Sequence, residues 1–233
     1  MEKLISKIRF VVNEKVFLKD PESTSTGKKI VEYGILVIDE IGFESFTFKK
    51  LAARIECTEA TIYRYFENKH KLLIYLLSWY WNWLEYNLVF KTNNISSPNQ
   101  RLRIAIEIIA DPISREDPAF EHINEISLHN IVISESSKAY LTKEIDRDNK
   151  EGYFSTYKSL CQRFTQLIKD INPSYPFAAS LSSTIIEGAH QQKFFAQHLP
   201  VLSDAKRDDN GTILDFLTDM VLKTISSSSP ISK

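Results

Sequence analysis

The sequence is poor in the residues that mark several classes of protein. It has six glycines and two cysteines among 233 residues, and 29 Lys and Arg are balanced by 30 Asp and Glu. Few glycines favour long helices over β-structure with tight turns. The charge balance excludes a globally basic nucleic-acid coat, but it leaves room for a local basic face.

Two further absences bear on where the protein works. No apolar run approaches the roughly 20 residues that a membrane-spanning helix needs, and the start lacks the basic and apolar regions of a signal peptide. We therefore expect a cytoplasmic protein that does not enter a membrane. Cys57 and Cys161 both lie in apolar helical patterns, so we expect buried thiols rather than a disulfide.

The most informative stretch runs from Phe46 to Leu73 and is typical of two short helices followed by the start of a longer one. Thr47, Thr58 and Asn68 are each suited to cap a helix amino terminus. Apolar residues follow each cap at helical spacing. With a helix expected before them over residues 27–41, these elements predict a three-helix unit of the helix-turn-helix type.

Lysines stand at helix starts in this unit, where the helix dipole favours acids. A lysine there costs roughly 0.3–1 kcal/mol. The cations at the three expected starts are Lys28 and Lys29, then Lys49 and Lys50, then Lys69, His70 and Lys71. Backbone N–H groups and ammonium groups at such places would converge on an anion, and a phosphate backbone fits. Solvated surface lysines are the alternative.

The second short helix, expected over residues 58–66, has a different chemistry. Its exposed face is predicted to present Thr58, Glu59, Thr61, Tyr63, Arg64 and Tyr65. Short hydroxyl groups and an arginine suit base edges in a major groove, and tyrosine hydroxyls suit phosphates. Glu59 could accept a hydrogen bond from cytosine or could serve only as an acid at a helix start, which we favour.

These motifs resemble the TetR/AcrR family of bacterial transcriptional regulators over roughly residues 28–75. The matching runs are GF at 42–43, TFKKLA at 47–52, TEATIYRYF at 58–66, NK at 68–69 and LL at 72–73. The resemblance implies an all-helical homodimer that binds a palindromic DNA operator and responds to a small-molecule inducer. It further implies a larger carboxy-terminal domain that binds the inducer and dimerises.

The resemblance also assigns roles by position. It implies phosphate contacts from Thr47, Tyr63, Tyr65 and Lys69. Thr58, Glu59 and Thr61 would lie nearest the bases, and Cys57, Ile62 and Phe66 would be core. The chain departs from the family at Glu56, where the family usually has glycine. A left-handed residue there would cost about 1–2 kcal/mol, so the turn is either strained or built differently.

The rest of the chain predicts a larger helical domain. Gly42 is expected to end the first helix in a left-handed conformation, and residues 68–90 form a helix that is apolar nearly all round. Further helices are expected near 99–110, 118–134, 136–146, 148–171, 177–198 and 212–225. The last two are the expected dimer interface, where Gly188 and Ala189 would allow close approach.

We therefore expect an all-α protein in four parts. They are an arm over 1–26 that is either an extra helix or extended, a DNA-binding domain over 27–73, a ligand-binding and dimerisation domain over 74–226, and a flexible tail over 227–233. The arm is too apolar for a plain disordered tail. We expect it to dock, and we favour covering of the core over contact with DNA.

Aromatic side chains are the candidates for an effector pocket, with core packing as the alternative. They are Trp83, Phe120, Tyr153, Phe154 and Tyr157.

An enzyme is the alternative from a different class, because His122, Glu125 and His129 share a helix face. Glu187 and His190 do likewise. No complete ligand set or nucleophile arrangement is visible, so we expect no cofactor, no metal and no catalysis. A ligand-released DNA-binding repressor is the hypothesis that we favour.

Overall fold

The computed structural model describes residues 10–113 and 123–226, and regular structure in these two ranges is entirely helical. The α-helices are α1 (Ser25–Ser45), α2 (Phe48–Arg54), α3 (Glu59–Tyr63), α4 (Lys69–Thr92), α5 (Pro98–Ala110), α6 (Glu125–Glu135), α7 (Ser137–Tyr140), α8 (Ile145–Lys150), α9 (Ser155–Ile171), α10 (Ala178–His198) and α11 (Asn210–Ser226). The all-α prediction is confirmed.

Side-chain caps set the starts of the first four helices. The Oγ1 atom of Thr24 accepts the Gly27 N–H at 3.0 Å. In the same way, Thr47 accepts the N–H of Lys50 and Thr58 accepts the N–H of Thr61, each at 3.3 Å. The Oδ1 atom of Asn68 accepts the Lys71 N–H at 2.9 Å. Each cap satisfies an amide that has no partner within its own helix. The predicted starts at Thr47, Thr58 and Asn68 are confirmed, whereas α1 begins two residues before the predicted 27.

Gly42 interrupts α1 in a way that differs from the prediction. Its φ of 74° and ψ of 155° place it at positive φ but outside the left-handed helical region. The chain therefore bends sharply and resumes for one further turn, in which Phe43 is buried. The helix is consequently longer than the predicted 27–41, and glycine is required at the bend.

The described residues fall into two compact units, one within Met1–Asn82 and Ile113–Thr156 and the other within Trp83–Pro112 and Tyr157–Lys233. In the first unit, α1 packs against α6. The centre of this unit is the first half of α4, where every residue from Leu72 to Trp81 is buried. This confirms the predicted enclosure for the first half of the helix, whereas Val89 and Phe90 near its end are exposed.

In the second unit, α10 packs against α11, and both contact α5. The cores of α10 and α11 include Ile185, Ile186, Leu217 and Val221. A Cβ atom added at Gly188 would lie 3.8 Å from a methyl carbon of Leu217. Gly188 therefore faces α11 of the same chain.

Three predicted helices differ from the structure. The one expected near 136–146 is divided, because α7 ends at Tyr140 and α8 begins at Ile145. The helix expected from 118 begins at Glu125 in the described residues, with Asn124 as its cap. The helix expected from 148 is divided, because Gly152 has a φ of 80° and separates α8 from α9. A positive φ ends a right-handed helix, and glycine adopts it without a Cβ penalty.

The arm preceding α1 contains two 3-10 turns, Glu14–Val16 and Pro21–Ser23, and no α-helix in its described part. Val12 and Val16 are buried, so this part of the arm is docked as expected. Residues 1–9 of the arm lie outside the described range. Among the helices described, none is long and apolar enough to cross a bilayer.

Neither cysteine is fully buried. Cys57 and Cys161 are both half-buried free thiols, which corrects the prediction that Cys57 belongs to the core. Cys57 lies in the turn between α2 and α3, where its thiol donates to the carbonyl of Thr58 at 3.4 Å. The absence of a disulfide between them agrees with the sequence-based expectation.

The contact between the arm and the start of α1 leads us to expect that a side chain at Gly27 destabilises the protein. A Cβ atom at Gly27 would lie 2.3 Å from the Pro21 carbonyl oxygen. We expect Gly27→Ala to lower the free energy of unfolding by about 1–3 kcal/mol through overpacking. Gly188→Ala is the matched control and should be neutral or stabilising by up to about 1 kcal/mol. Urea denaturation measures both, and equal effects would contradict the docking of Pro21 on Gly27.

Candidate nucleic-acid interface

The two short helices α2 and α3 are held together by a small apolar contact. α2 buries Phe48, Leu51 and Ala52, and α3 buries Ile62. The Cys57 N–H donates to the Ala52 carbonyl at 3.0 Å and closes the turn between them. α3 is therefore fixed by one face, which leaves its opposite face in solvent.

Glu56 adopts the left-handed conformation that its position in the turn demands. Its φ is 53°, so the first of the two alternatives for this turn is correct. A non-glycine residue pays about 1–2 kcal/mol for this conformation. The turn keeps the helix-turn-helix geometry at the cost of local strain.

The solvent face of α3 is polar and short. Thr58, Glu59 and Arg64 are exposed, Thr61 is half-buried and Tyr63 is 48% exposed. The hydroxyls of Thr58 and Thr61 share a hydrogen bond of 3.0 Å, and the Tyr63 ring packs edge-on against Phe48 at 5.1 Å. The arrangement presents hydroxyls, one acid and one guanidinium to a groove-shaped partner.

Glu59 lies in the first turn of α3. An acid at that place is favoured by the helix dipole, whether or not it also touches a base.

A comparison with known protein families finds a match for the amino-terminal unit. Residues 30–76 match the family model described as "Bacterial regulatory proteins, tetR family". The amino-terminal unit of the chain is therefore similar to that of the tetR family. The match spans α1 to the first part of α4, which is the helix-turn-helix unit and the helix that supports it. No curated protein sequence matches the chain at a significant level.

Solved structures extend the likeness of the chain beyond that unit. FadR, a fatty acid degradation regulator from Bacillus halodurans, aligns over 85% of this chain and 95% of its own, with a TM-score of 0.60 and 16% identity. AibR in complex with isovaleryl coenzyme A and operator DNA aligns over 82% of this chain and 95% of its own, with a TM-score of 0.57 and 16% identity. KstR2, a ketosteroid transcriptional regulator of Mycobacterium tuberculosis, aligns over 89% of this chain and 97% of its own, with a TM-score of 0.53 and 12% identity. At these identities the likeness concerns the fold.

Tyr65 does not lie on the exposed face as predicted. Its side chain is 4% exposed, and its hydroxyl shares a hydrogen bond of 2.7 Å with Thr24. Tyr65 follows the end of α3, where the chain turns back towards the core, so helical spacing beyond Tyr63 misplaces it. The phosphate contact that the family resemblance implied for Tyr65 is not available from this position.

Lys69 is engaged with the protein itself. Its ammonium donates to the carbonyls of Phe43, Glu44 and Phe46 at 2.9, 3.1 and 3.1 Å. These bonds use all three donors of the group and satisfy carbonyls at the end of α1. Lys69 therefore has a structural role in place of the expected phosphate contact. The local sequence does not predict this role, because it depends on the tertiary fold.

The other expected phosphate contacts lie on the surface. Lys28, Thr47 and Lys49 are exposed at the starts of α1 and α2. Lys50 instead donates to the Ser45 carbonyl at 2.7 Å, and Lys71 donates to the Lys15 carbonyl and the Tyr153 hydroxyl. Of the lysines at the three helix starts, Lys28, Lys29, Lys49 and Lys50 are exposed, although the Lys50 ammonium is already hydrogen-bonded to the Ser45 carbonyl.

The candidates for an effector pocket occupy different surroundings. In the first unit, Tyr153 and Phe154 are buried, and Phe154 packs edge-on against Tyr140 at 5.4 Å. In the second unit, Trp83 is buried and the Tyr157 hydroxyl donates to Glu187 at 2.6 Å. Phe120 lies outside the described residues. These contacts account for each described side chain as packing, so the pocket role remains a prediction.

A cavity of about 230 Å³ lies elsewhere in the second unit. It contains none of the predicted pocket residues and is lined by Gln192, Val201, Leu202, Ser203, Asp204, Ala205, Thr212, Ile213 and Phe216. Its walls come from α10, α11 and the turn between them. No motif in the sequence marks this place.

The histidines considered for catalysis have structural surroundings. His129 is 2% exposed, and its Nδ1 atom is hydrogen-bonded to the Tyr80 hydroxyl at 2.8 Å. Burial lowers the pKa of His190 to about 4, so it is neutral at physiological pH. His122 lies outside the described residues. Among the residues described, no three His, Cys, Asp or Glu side chains group to hold a metal ion.

Removal of the charge should destabilise the protein at Lys69 but not at Lys49. We expect Lys69→Met to lower the free energy of unfolding by about 2–3 kcal/mol, because three carbonyls lose a charged donor. Lys49→Met is the matched control on the exposed face and should stay within about 0.5 kcal/mol of wild type. Thermal and urea unfolding distinguish them, and an unchanged Lys69→Met would contradict the structural role.

The strain at Glu56 predicts a stabilising substitution. Glu56→Gly should relieve the left-handed penalty and raise the free energy of unfolding by up to about 1 kcal/mol, after the entropy cost of glycine in the unfolded chain. Glu67→Gly, an exposed glutamate without positive φ, is the control and should be destabilising. If both variants lose stability equally, Glu56 is not strained.

Proposed function

We propose that the protein is a transcriptional repressor whose α3 helices enter successive major grooves of a palindromic operator. One observation carries the proposal. α3 is fixed through Ile62 on one face and presents Thr58, Glu59 and Arg64 to solvent on the other. A rigid helix with a free polar face is what base reading in a major groove requires.

Cations at the rim of this unit support the proposal. Lys28 and Lys49 are exposed at helix starts, where backbone N–H groups add to their charge. Arg64 extends the same polarity beyond α3. Such contacts fix the register of a protein on DNA without reading its sequence.

The response to an effector is the second part of the proposal. AibR is described with isovaleryl coenzyme A and operator DNA together, and FadR is named for fatty acid degradation. An acyl coenzyme A is therefore the first effector class to try here. Its binding within residues 74–226 would favour a dimer whose α3 helices no longer match grooves about 34 Å apart.

Dimerisation is assigned in this proposal to α10 and α11. Phe216 and Leu222 of α11 are exposed apolar side chains, as is Phe177 just before α10, and two such helices from each subunit would form a four-helix contact. The remaining division is an arm over 1–26, a DNA-binding domain over 27–73 and a tail over 227–233. The proposed protein is a cytoplasmic binding protein rather than an enzyme.

The test begins with in-vitro selection of a DNA duplex by the wild-type protein. Lys49→Ala and Arg64→Ala should then weaken binding to the enriched duplex. If Lys49 contacts only phosphate, its loss should weaken all sequences alike and reduce the slope of log K against log salt by about one. Fluorescence anisotropy at several salt concentrations measures both quantities.

The matched control for this experiment is Lys169→Ala, which removes an exposed lysine of α9 in the second unit. It should leave the affinity and the salt slope at their wild-type values. A wild-type protein that enriches no duplex, or Lys49 and Arg64 variants that bind like wild type, would show that the face of α3 is not a DNA-binding surface.

A further inference from the structure

The arm before α1 contacts Tyr65, which follows the carboxy-terminal end of α3. The Leu18 N–H donates to the Tyr65 carbonyl at 2.7 Å, and the Thr24 hydroxyl meets the Tyr65 hydroxyl at 2.7 Å. The Lys19 ammonium lies 5.3 Å above the centre of the same ring. Tyr65 in turn donates its N–H to the Ile62 carbonyl at 2.8 Å, so the position of the last turn of α3 depends on it.

The arm is also tied to the turn between α8 and α9. The Asn13 Nδ2 atom donates to the Glu151 carbonyl at 2.8 Å, and the Lys15 ammonium pairs with the Glu151 carboxylate at 2.5 Å. This bond lowers the pKa of Glu151 and raises the pKa of Lys15. A Cβ atom at Gly152 would lie 3.0 Å from Asn13 Nδ2, so a side chain there would crowd the contact.

The segment of the arm between these two sets of contacts is short and packed. Only residues 14–17 separate Asn13 from Leu18, and Val16 within them is 1% exposed. The Phe17 ring packs edge-on against Tyr75 of α4 at 6.1 Å, and Lys71 donates to the Lys15 carbonyl at 3.2 Å. Because a closely packed segment is not easily compressed, a displacement of one of its ends is transmitted to the other.

We propose that the arm over residues 10–24 is a positioning element for α3, which links the Glu151–Gly152 turn to the DNA-binding face. The proposal rests on the DNA binding proposed above. A movement of the turn is carried through Asn13 and Lys15 to Leu18, and from there to Tyr65 and α3. The arm itself touches no DNA, and its effect is on the affinity of the face that does.

The experiment uses Asn13→Asp in the full chain. This isosteric change keeps the Oδ1 atom that accepts the Lys15 N–H at 2.9 Å but removes the donor to Glu151. The affinity for a fluorescein-labelled duplex selected by the wild-type protein should fall about two- to fivefold. The salt slope should stay unchanged, because no phosphate contact is lost. Asn94→Asp, in the exposed loop between α4 and α5, is the matched control for the added charge.

A second set of variants isolates the ion pair. Lys15→Met, Glu151→Gln and the double variant form a cycle, and their effects on DNA affinity should be less than additive because both break one link. The amide of Leu18 should exchange faster with solvent in each variant.

Three results would overturn the arm as a positioning element. Unfolding temperatures that fall while DNA affinity stays at the wild-type value would reduce the arm to a stability role. A salt slope that falls by about one in Lys15→Met would make the arm a phosphate contact instead. Unchanged affinity in all variants of a DNA-binding protein sinks this proposal alone, whereas a wild-type protein that selects no duplex sinks the proposed function with it.

Discussion

The helix-turn-helix unit depends on the hydrogen bonds that the Lys69 ammonium donates. It lies at the start of α4 and holds three carbonyls where α1 ends and the chain passes to α2. From the other side, the Glu135 carboxylate of α6 accepts the Phe43 N–H at 3.0 Å, and Lys138 pairs with Glu135 at 2.6 Å. α1, α4 and α6 therefore meet at one short segment, with the polar groups of its backbone satisfied by charged side chains.

That junction explains why cations at helix starts serve two ends in this chain. Lys49 is exposed at the start of α2, whereas the ammonium of Lys69 is covered by the end of α1. A lysine in the first turn of a helix is a solvent-facing charge in one case and an internal donor in the other. The difference is one of tertiary packing, since the local sequence around both positions is that of a capped helix start.

The parts of the fold that local chemistry determines were predictable. Caps at Thr47, Thr58 and Asn68, the enclosed α4 and the positive φ at Gly42 each follow from a few neighbouring residues. The roles of Tyr65 and Lys69 did not follow, because their partners at Thr24 and Phe43 are distant in sequence. The break at Gly152 did carry a local signal, a glycine within a polar run, which the helical periodicity around it obscured.

The face of α3 has a consequence for how such a protein diverges. Thr58 and Glu59 are exposed, and the Thr58 hydroxyl shares a hydrogen bond with the Thr61 hydroxyl one turn away. The packing that orients α3 comes from Ile62, Phe66 and the ring of Tyr63 on Phe48. Substitution at the first set leaves the second intact, so the exposed face of α3 can change in sequence without loss of the packing that holds the helix.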